Sequence, residues 1–356
     1  MQKFLNLIKN FDVEGTLLSA EPNGNGHIND TLLIEIETPD AKISRYILQA
    51  INSNVFPNIE GLMNNIISVT EYLKKGLTDN RGAMNFVPAR SGKYYFVDKN
   101  GVPWRMYHFI EDAVSLELPE STKDFYECGF GFGNFQRQLD EFPAQELFET
   151  IPNFHNTPKR YDNFKKAVEK DICHRAKSVK EEIDFVIGEE NFYPVLENGN
   201  LPLRVTHNDT KINNVLLDSA TRKAVCVIDL DTVMSGLSVN DFGDAIRIGA
   251  NTAAEDEKDL SKVSLDLDLF EAFTKGFIEG SGGILTQEEI MLLPEGAKMM
   301  TIECGMRFLT DYLEGDTYFK IKYRDHNLDR CRTQFELVRD MNRKWEQMKN
   351  IVKKYL

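Results

Sequence analysis

Over the first hundred residues, apolar positions fall in short runs bounded by turn residues, which is the signature of strands. Thr16–Ala20 and Thr31–Glu37 flank a Gly/Asn-rich loop running from Pro22 to His27, and Tyr46–Ile51 makes a third apolar run. Between Asn58 and Lys74 the spacing turns helical, with Ile59, Leu62, Ile66, Val69, Tyr72 and Leu73 on one stripe. Tyr94–Val97 and Trp104–Ile110 are two further strands, joined across Asp98-Lys99-Asn100-Gly101, where Asn-Gly between apolar runs signals a hairpin. Beyond this point long periodic stretches predict helices over about 119–140, 158–187, 266–280, 286–313 and 327–355. One β-rich island, Leu203–Asp231, interrupts them with apolar runs at Val215–Leu217 and Val225–Ile228. Strands at one end and helices at the other predict an α+β protein and not an alternating β-α fold. The pattern divides the chain into a small sheet lobe over 1–110, a hinge over 111–118 and a larger helical lobe over 119–356.

Composition narrows the class without changing that picture. A chain of 356 residues, 42% hydrophobic and 28% charged, suits one or two globular domains and excludes disorder or a fibrous repeat. No apolar run nears the ~18–20 residues that span a bilayer. The start, Met1 to Asn6, lacks the apolar core of a signal peptide, so a cytoplasmic setting is expected. Five cysteines, at 128, 173, 226, 304 and 331, are odd in number, widely spaced and without CxxC pairing, which fits reduced thiols. With 42 basic against 56 acidic side chains the net charge is −14, which repels nucleic acid and anionic membrane and leaves small molecules as the expected partners. The locally positive stretch Lys320–Lys354 reads as the solvated face of a closing helix.

Polar chemistry concentrates in Thr206-His207-Asn208-Asp209-Thr210-Lys211-Ile212-Asn213-Asn214, followed by Ile228-Asp229-Leu230-Asp231. Short polar loops held between apolar strands are where a rigid scaffold presents catalytic side chains. Asp209, the amide oxygen of Asn214 and Asp229 are able to converge. Two hard oxygen ligands plus substrate phosphates are what Mg²⁺ uses, since it keeps several waters and seldom takes an all-protein cage. Asp209 is then left to face a nucleophile.

His-x-Asp-x4-Asn followed by Ile-Asp-x-Asp resembles the catalytic and metal loops of the aminoglycoside phosphotransferase/choline kinase superfamily, relatives of the protein kinases. The resemblance implies a bilobal kinase-like fold and use of ATP and Mg²⁺. It makes Asp209 the carboxylate that accepts the proton of the acceptor hydroxyl, Asn214 and Asp229 the metal ligands, Asp231 an accessory group and His207 the loop anchor. Gly24-Asn25-Gly26-His27-Ile28-Asn29-Asp30-Thr31, Tyr46 to Phe56, Ser238 to Arg247 and Arg307 to Tyr318 look like the N-acetylhexosamine 1-kinases. Those enzymes phosphorylate the anomeric hydroxyl of N-acetylglucosamine or N-acetylgalactosamine.

On that resemblance Gly24, Gly26, Thr31 and Gln49 approach the nucleotide phosphates. Phe109 and Glu111 sit where Trp104–Glu111 enters the lobe junction and an adenine ring would bond the backbone; Met106 and Phe109 as plain core fit equally well. The acceptor side falls to His27, Asp209, Arg307 and Tyr318. The wider superfamily carries Lys or Arg near Gln49, and a neutral side chain there leaves open whether a nearby basic residue substitutes. His27 also suits a structural turn, Arg307 an ion pair with Glu303 or Asp311, and Tyr318 a core aromatic. Asp241 and Asp244 are expected to cap the next helix and hold the catalytic loop. The alternatives are another small-molecule kinase of the same fold, acting on choline, homoserine, methylthioribose or an aminoglycoside, or a non-catalytic kinase-like binding protein.

Overall fold

The computed structural model of the chain describes residues 2–23 and 29–356. In chain order, the first part contains α1 (Gln2–Ile8), β1 (Thr16–Pro22), β2 (Asp30–Glu37), β3 (Ile43–Ala50), α2 (Ile59–Lys74), β4 (Phe86–Val87), β5 (Phe96–Val97) and β6 (Pro103–His108). Their antiparallel sheet runs β1-β2-β3-β6-β4, with β5 also on β6. The hairpin at Asp98–Gly101 sets Phe96 opposite Trp104. Ile34, Ile36, Leu48 and Met106 bury one sheet face against Leu7, Ile8 and Phe11 at the first helix. That helix, α1, has no counterpart in the expected order, because its seven residues span only two turns, too few to read a period from. The register places Thr31 opposite Gln49 and Gln49 opposite Arg105, so three polar side chains line up across three strands.

The second part contains β7 (Ala113–Val114), α3 (Thr122–Gln138), α4 (Thr157–Lys170), α5 (Lys180–Gly188), α6 (Val195–Asn198), β8 (Arg204–Thr206), β9 (Val215–Asp218), β10 (Ala224–Val227) and β11 (Met234–Gly236). The helices α7 (Ser238–Gly249), α8 (Leu267–Ser281), α9 (Gln287–Met291), α10 (Leu293–Leu313), α11 (His326–Arg343) and α12 (Trp345–Lys353) complete it. Two short antiparallel ladders, β10-β9-β7 and β11-β8, carry the polar loops. Residues 111–118 therefore include a strand of the first of these ladders, β7, paired with β9.

Three expected helices are each broken. The 158–187 stretch stops at Asp171, which adopts φ 36°, before α5. The 286–313 stretch restarts at Leu293, where Pro294 fits only a first turn. The 327–355 stretch breaks at Lys344. The platform beneath the loops is α3 packed on α8 at glycine contacts. A Cβ at Gly129 or Gly133 would stand 2.5 or 2.2 Å from the carbonyl oxygen of Phe273 or Phe277, and one at Gly276 would stand 2.0 Å from that of Tyr126. Among the described residues no helix is long and apolar enough to cross a membrane, and all five cysteines are free.

Candidate active site

The loop after β8 turns sharply because it is gripped from beneath. Asp241 lies in the first turn of α7 and accepts from the backbone N–H of His207 (2.9 Å) and of Asn208 (2.7 Å), and from Gln136 of α3 (2.8 Å). Asp244 accepts from the N–H of Thr210 at 3.0 Å. Both aspartates thus hold the loop as expected, but neither caps the next helix, since they lie inside α7 itself. Asn208 is forced to φ 64° and Asp229 to φ 59°. Left-handed backbone at non-glycine residues costs ~1–3 kcal/mol and persists only where surroundings over-determine it. His207 is fully buried, donating with Nε2 to the Ile228 carbonyl (2.8 Å) and lying edge-on to Phe132.

Asn214 joins the two loops. Its Nδ2 donates to the carbonyl oxygen of Asp209 at 2.8 Å, and its own carbonyl accepts from the N–H of Ile228 at 2.9 Å. Asp209, Asn214 and Ile228, the residue before Asp229, are thereby tied together through the backbone. The Asn214 amide oxygen and the Asp229 carboxylate are left with no hydrogen bond among the described residues. Burial, then Asp231 and Asp209, push the pKa of Asp229 up to about 6. This is a pair of hard oxygen donors in a field of surplus negative charge, which fits a divalent cation. Among the described residues no three His, Cys, Asp or Glu side chains cluster as a metal site, so further ligands would come from phosphate and water.

Lys211, which the motif spacing did not single out, holds both carboxylate oxygens of Asp209, at 2.9 and 3.0 Å. Asp209 raises the pKa of Lys211, outweighing burial.

Asp231 is turned away from that cluster into the strand sheet. It accepts from Arg105 Nη1 and from Asn29 Nδ2, the latter at 2.7 Å. Arg105 also donates to Gln49 Oε1 from Nε (2.8 Å) and Nη2 (2.6 Å), and Gln49 Nε2 donates to Thr31 Oγ at 3.0 Å. Burial opposes the charge of Arg105, only 2% exposed, but Asp231 overcomes it and raises its pKa. The cation absent from position 49 therefore stands one strand over, in register, which only the pairing of β3 with β6 reveals.

A second cationic feature flanks the loop. Arg307 on α10 lies over three rings, 5.4 Å from Phe154, 5.9 Å from Tyr318 and 5.5 Å from Phe319. It forms neither ion pair that its spacing allowed. Glu303 is taken by His155 and Thr157, and Asp311 by the N–H groups of Thr317, Tyr318 and Phe319. Tyr318 is 62% exposed and so is no core aromatic. Arg160 donates to the carbonyl of Phe154 at 3.0 and 2.7 Å; burial and then Arg307 lower its pKa. Phe154 precedes His155, whose Nε2 lies 3.2 Å from the Asn208 carbonyl, so one dipeptide links the arginines to the loop carrying Asp209. Phe109 lies under Arg45 (4.9 Å), which pairs with Glu111 at the junction. Gly24, Gly26 and His27 lie outside the described residues.

The pattern of the phosphotransferase enzyme family matches residues 90–265. Among solved structures, the fold is similar to a microcompartment-associated aminopropanol kinase (TM-score 0.61, 15% identity, 98% of both chains covered). It is also similar to an aminoglycoside phosphotransferase from Alicyclobacillus acidocaldarius (0.63, 10%, 98% of this chain and 96% of that one). A third is a spectinomycin phosphotransferase in complex with ADP and spectinomycin (0.60, 15%, 97% and 98%).

Proposed function

We propose that the chain transfers the γ-phosphoryl group of ATP to the anomeric hydroxyl of an N-acetylhexosamine, a reading supported by the match of residues 90–265 to the phosphotransferase enzyme family pattern. The product is the sugar 1-phosphate. The observation carrying phosphotransfer is the Asn214 junction, whose two bonds tie the Asp209 loop to the Asp229 loop. Asp209 orients the acceptor hydroxyl and takes its proton. In a loose transition state positioning and electrostatics supply most of the acceleration, so an ordinary carboxylate suffices. Lys211, already on Asp209, brings a positive charge beside the moving phosphoryl group. Asn214 and Asp229 would hold Mg²⁺, which neutralises phosphate charge when bound.

The sheet lobe, 1–110, takes the nucleotide, with Phe109 and Glu111 at the adenine end of the hinge and Thr31, Gln49 and Arg105 toward the phosphates. Arg105 supplies there the positive charge that Gln49 lacks. The helical lobe takes the acceptor in a cytoplasmic setting suited to free thiols.

Arg307 supports a neutral, oxygen-rich acceptor, because a guanidinium without a carboxylate suits hydroxyl and acetamido oxygens and repels ammonium groups. A cationic acceptor is the second reading, favoured by the net charge of −14 and by neighbours named for aminopropanol and aminoglycosides. An acceptor panel of N-acetylhexosamines against amino alcohols and aminoglycosides, read by ADP release, separates them. ³¹P NMR of the product then identifies the phosphorylated oxygen. Turnover confined to the cationic set would overturn the sugar reading, and none with any acceptor would favour a binding protein.

A further inference from the structure

His155 precedes α4 in the stretch Asn153-Phe154-His155-Asn156, and no motif includes it. Its side chain is 10% exposed. Nδ1 lies 3.0 Å from Oε1 of Glu303, and Nε2 lies 3.2 Å from the carbonyl oxygen of Asn208. A carbonyl oxygen only accepts. Glu303 is an acceptor as well: burial opposes its charge, but the His155 bond and Arg160 hold its pKa below the usual carboxylate range. Both ring nitrogens therefore face acceptors, and of the forms of histidine only the imidazolium offers two N–H donors. A neutral ring would set a nitrogen lone pair against a buried oxygen.

The carbonyl that His155 meets belongs to the peptide between Asn208 and Asp209. The N–H of that same peptide faces Nδ1 of His207 at 3.3 Å. The peptide carrying Asp209 is thus held at both ends by imidazole rings, at a residue whose left-handed backbone needs restraint. We propose that His155, kept as an imidazolium by Glu303, is a positioning residue that fixes the Asn208–Asp209 peptide and so aims the Asp209 carboxylate.

The groups facing His155 come from three helices. Glu303 on α10 and Asp244 on α7 favour its charge; Arg160 on α4, with Nε 3.9 Å from the same Glu303 oxygen, shares the counter-ion. Burial lowers the pKa of His155, but Glu303 and Asp244 raise it more. The sign follows from linkage: the contribution is complete below the unfolded histidine value and is lost as pH rises through the higher folded value. The loop then loosens on the alkaline side.

The effect on rate rests on the reading of Asp209 as the acceptor-facing base, whereas the charge state of His155 does not. The test uses the full chain labelled with ¹⁵N-histidine, with H155Q to assign the signal. The ring should show two protonated nitrogens at pH 7.5, and E303Q should move its titration to lower pH. In kinetics, kcat should fall on the alkaline side with the same midpoint as that titration. E303Q should carry the kinetic limb with it, and H155Q should lose about tenfold in kcat with little change in KM for ATP. A neutral ring at pH 7.5 would overturn the proposal, as would an alkaline limb that stays in place in E303Q. If Asp209→Asn instead kept full activity, the base assignment would fall while the ¹⁵N result stood.

Discussion

The two flanks of the catalytic loop treat charge in opposite ways. Toward the strand sheet the charged and polar groups form a matched chain: Asp231 with Arg105 and Asn29, Arg105 with Gln49, Gln49 with Thr31. Toward the helices Arg307 has three rings about it and neither a hydrogen bond nor an ion pair among the described residues. Burying a matched pair fixes geometry during folding, because each partner left alone would carry a large desolvation cost. An unmatched guanidinium keeps its hydrogen-bonding capacity for a ligand. The sheet flank is built in advance, and on the proposed reading the helix flank is completed by the acceptor.

The largest effect should come where the two flanks meet. Asp209→Asn keeps the backbone bonds of the loop but removes the proposed base, and kcat should fall by about 10²–10⁴-fold or more. Binding of ATP by calorimetry should survive if Asp209 faces the acceptor as proposed. A near-normal kcat would remove Asp209 from its role.

Next comes the matched flank. Arg105→Ala or Asp231→Ala strands a buried charge and should cost ~3–5 kcal/mol in urea unfolding. Arg105→Met combined with Asp231→Leu should recover most of that stability while nucleotide use stays impaired. If the double variant lost as much stability as the sum of the singles, the pair would not be coupled as described.

These residues also mark what was legible beforehand. That the segments of Asp209, Asn214 and Asp229 come together was readable because they sit at fixed spacing within two short polar runs, and the sheet-then-helix order was readable because strand and helix periods differ. Arg105 was not, since its role depends on β3 and β6 lying in register 56 residues apart. His155 was hidden for the same reason: its partners, Glu303 and Asn208, are 148 and 53 residues away. Lys211 sits inside the motif, but its spacing does not show that its ammonium lies on Asp209. Helix breaks at Asp171 and Lys344 escaped notice because apolar periodicity carries across a turn when both pieces pack on one core.

The unmatched flank gives a kinetic signature. Arg307→Ala should raise KM for an N-acetylhexosamine about tenfold to a hundredfold, the worth of a hydrogen bond from a charged donor. The penalty should shrink for an acceptor lacking the contacted oxygen. Stability should change little, because the described structure contains no ion pair for it to lose. Unchanged KM in a folded variant would return Arg307 to a packing role over Phe154.

The smallest effect concerns Asp229, which links both flanks through Asp231 and Asp209. Its pKa is raised to about 6 by burial and by those two neighbours, so the folded protein holds this proton more tightly than the unfolded chain does. The stabilising contribution is complete below the unfolded aspartate value of about 4 and is lost as pH rises through about 6. Above pH 6 the ionised carboxylate is crowded by like charge, and a divalent cation would relieve it. Proton and cation therefore compete. At pH 5, one unit below the titration, only about a tenth of Asp229 is ionised, so half-maximal activity should need roughly tenfold more Mg²⁺ than at pH 7. The gain in melting temperature on adding Mg²⁺ with a non-hydrolysable ATP analogue should grow between pH 5 and 7. Asn214→Ala should raise the Mg²⁺ requirement at every pH without moving the midpoint, because a neutral amide contributes a ligand but no titration. A Mg²⁺ requirement that is flat from pH 5 to 7 would mean that Asp229 is not the group the cation meets.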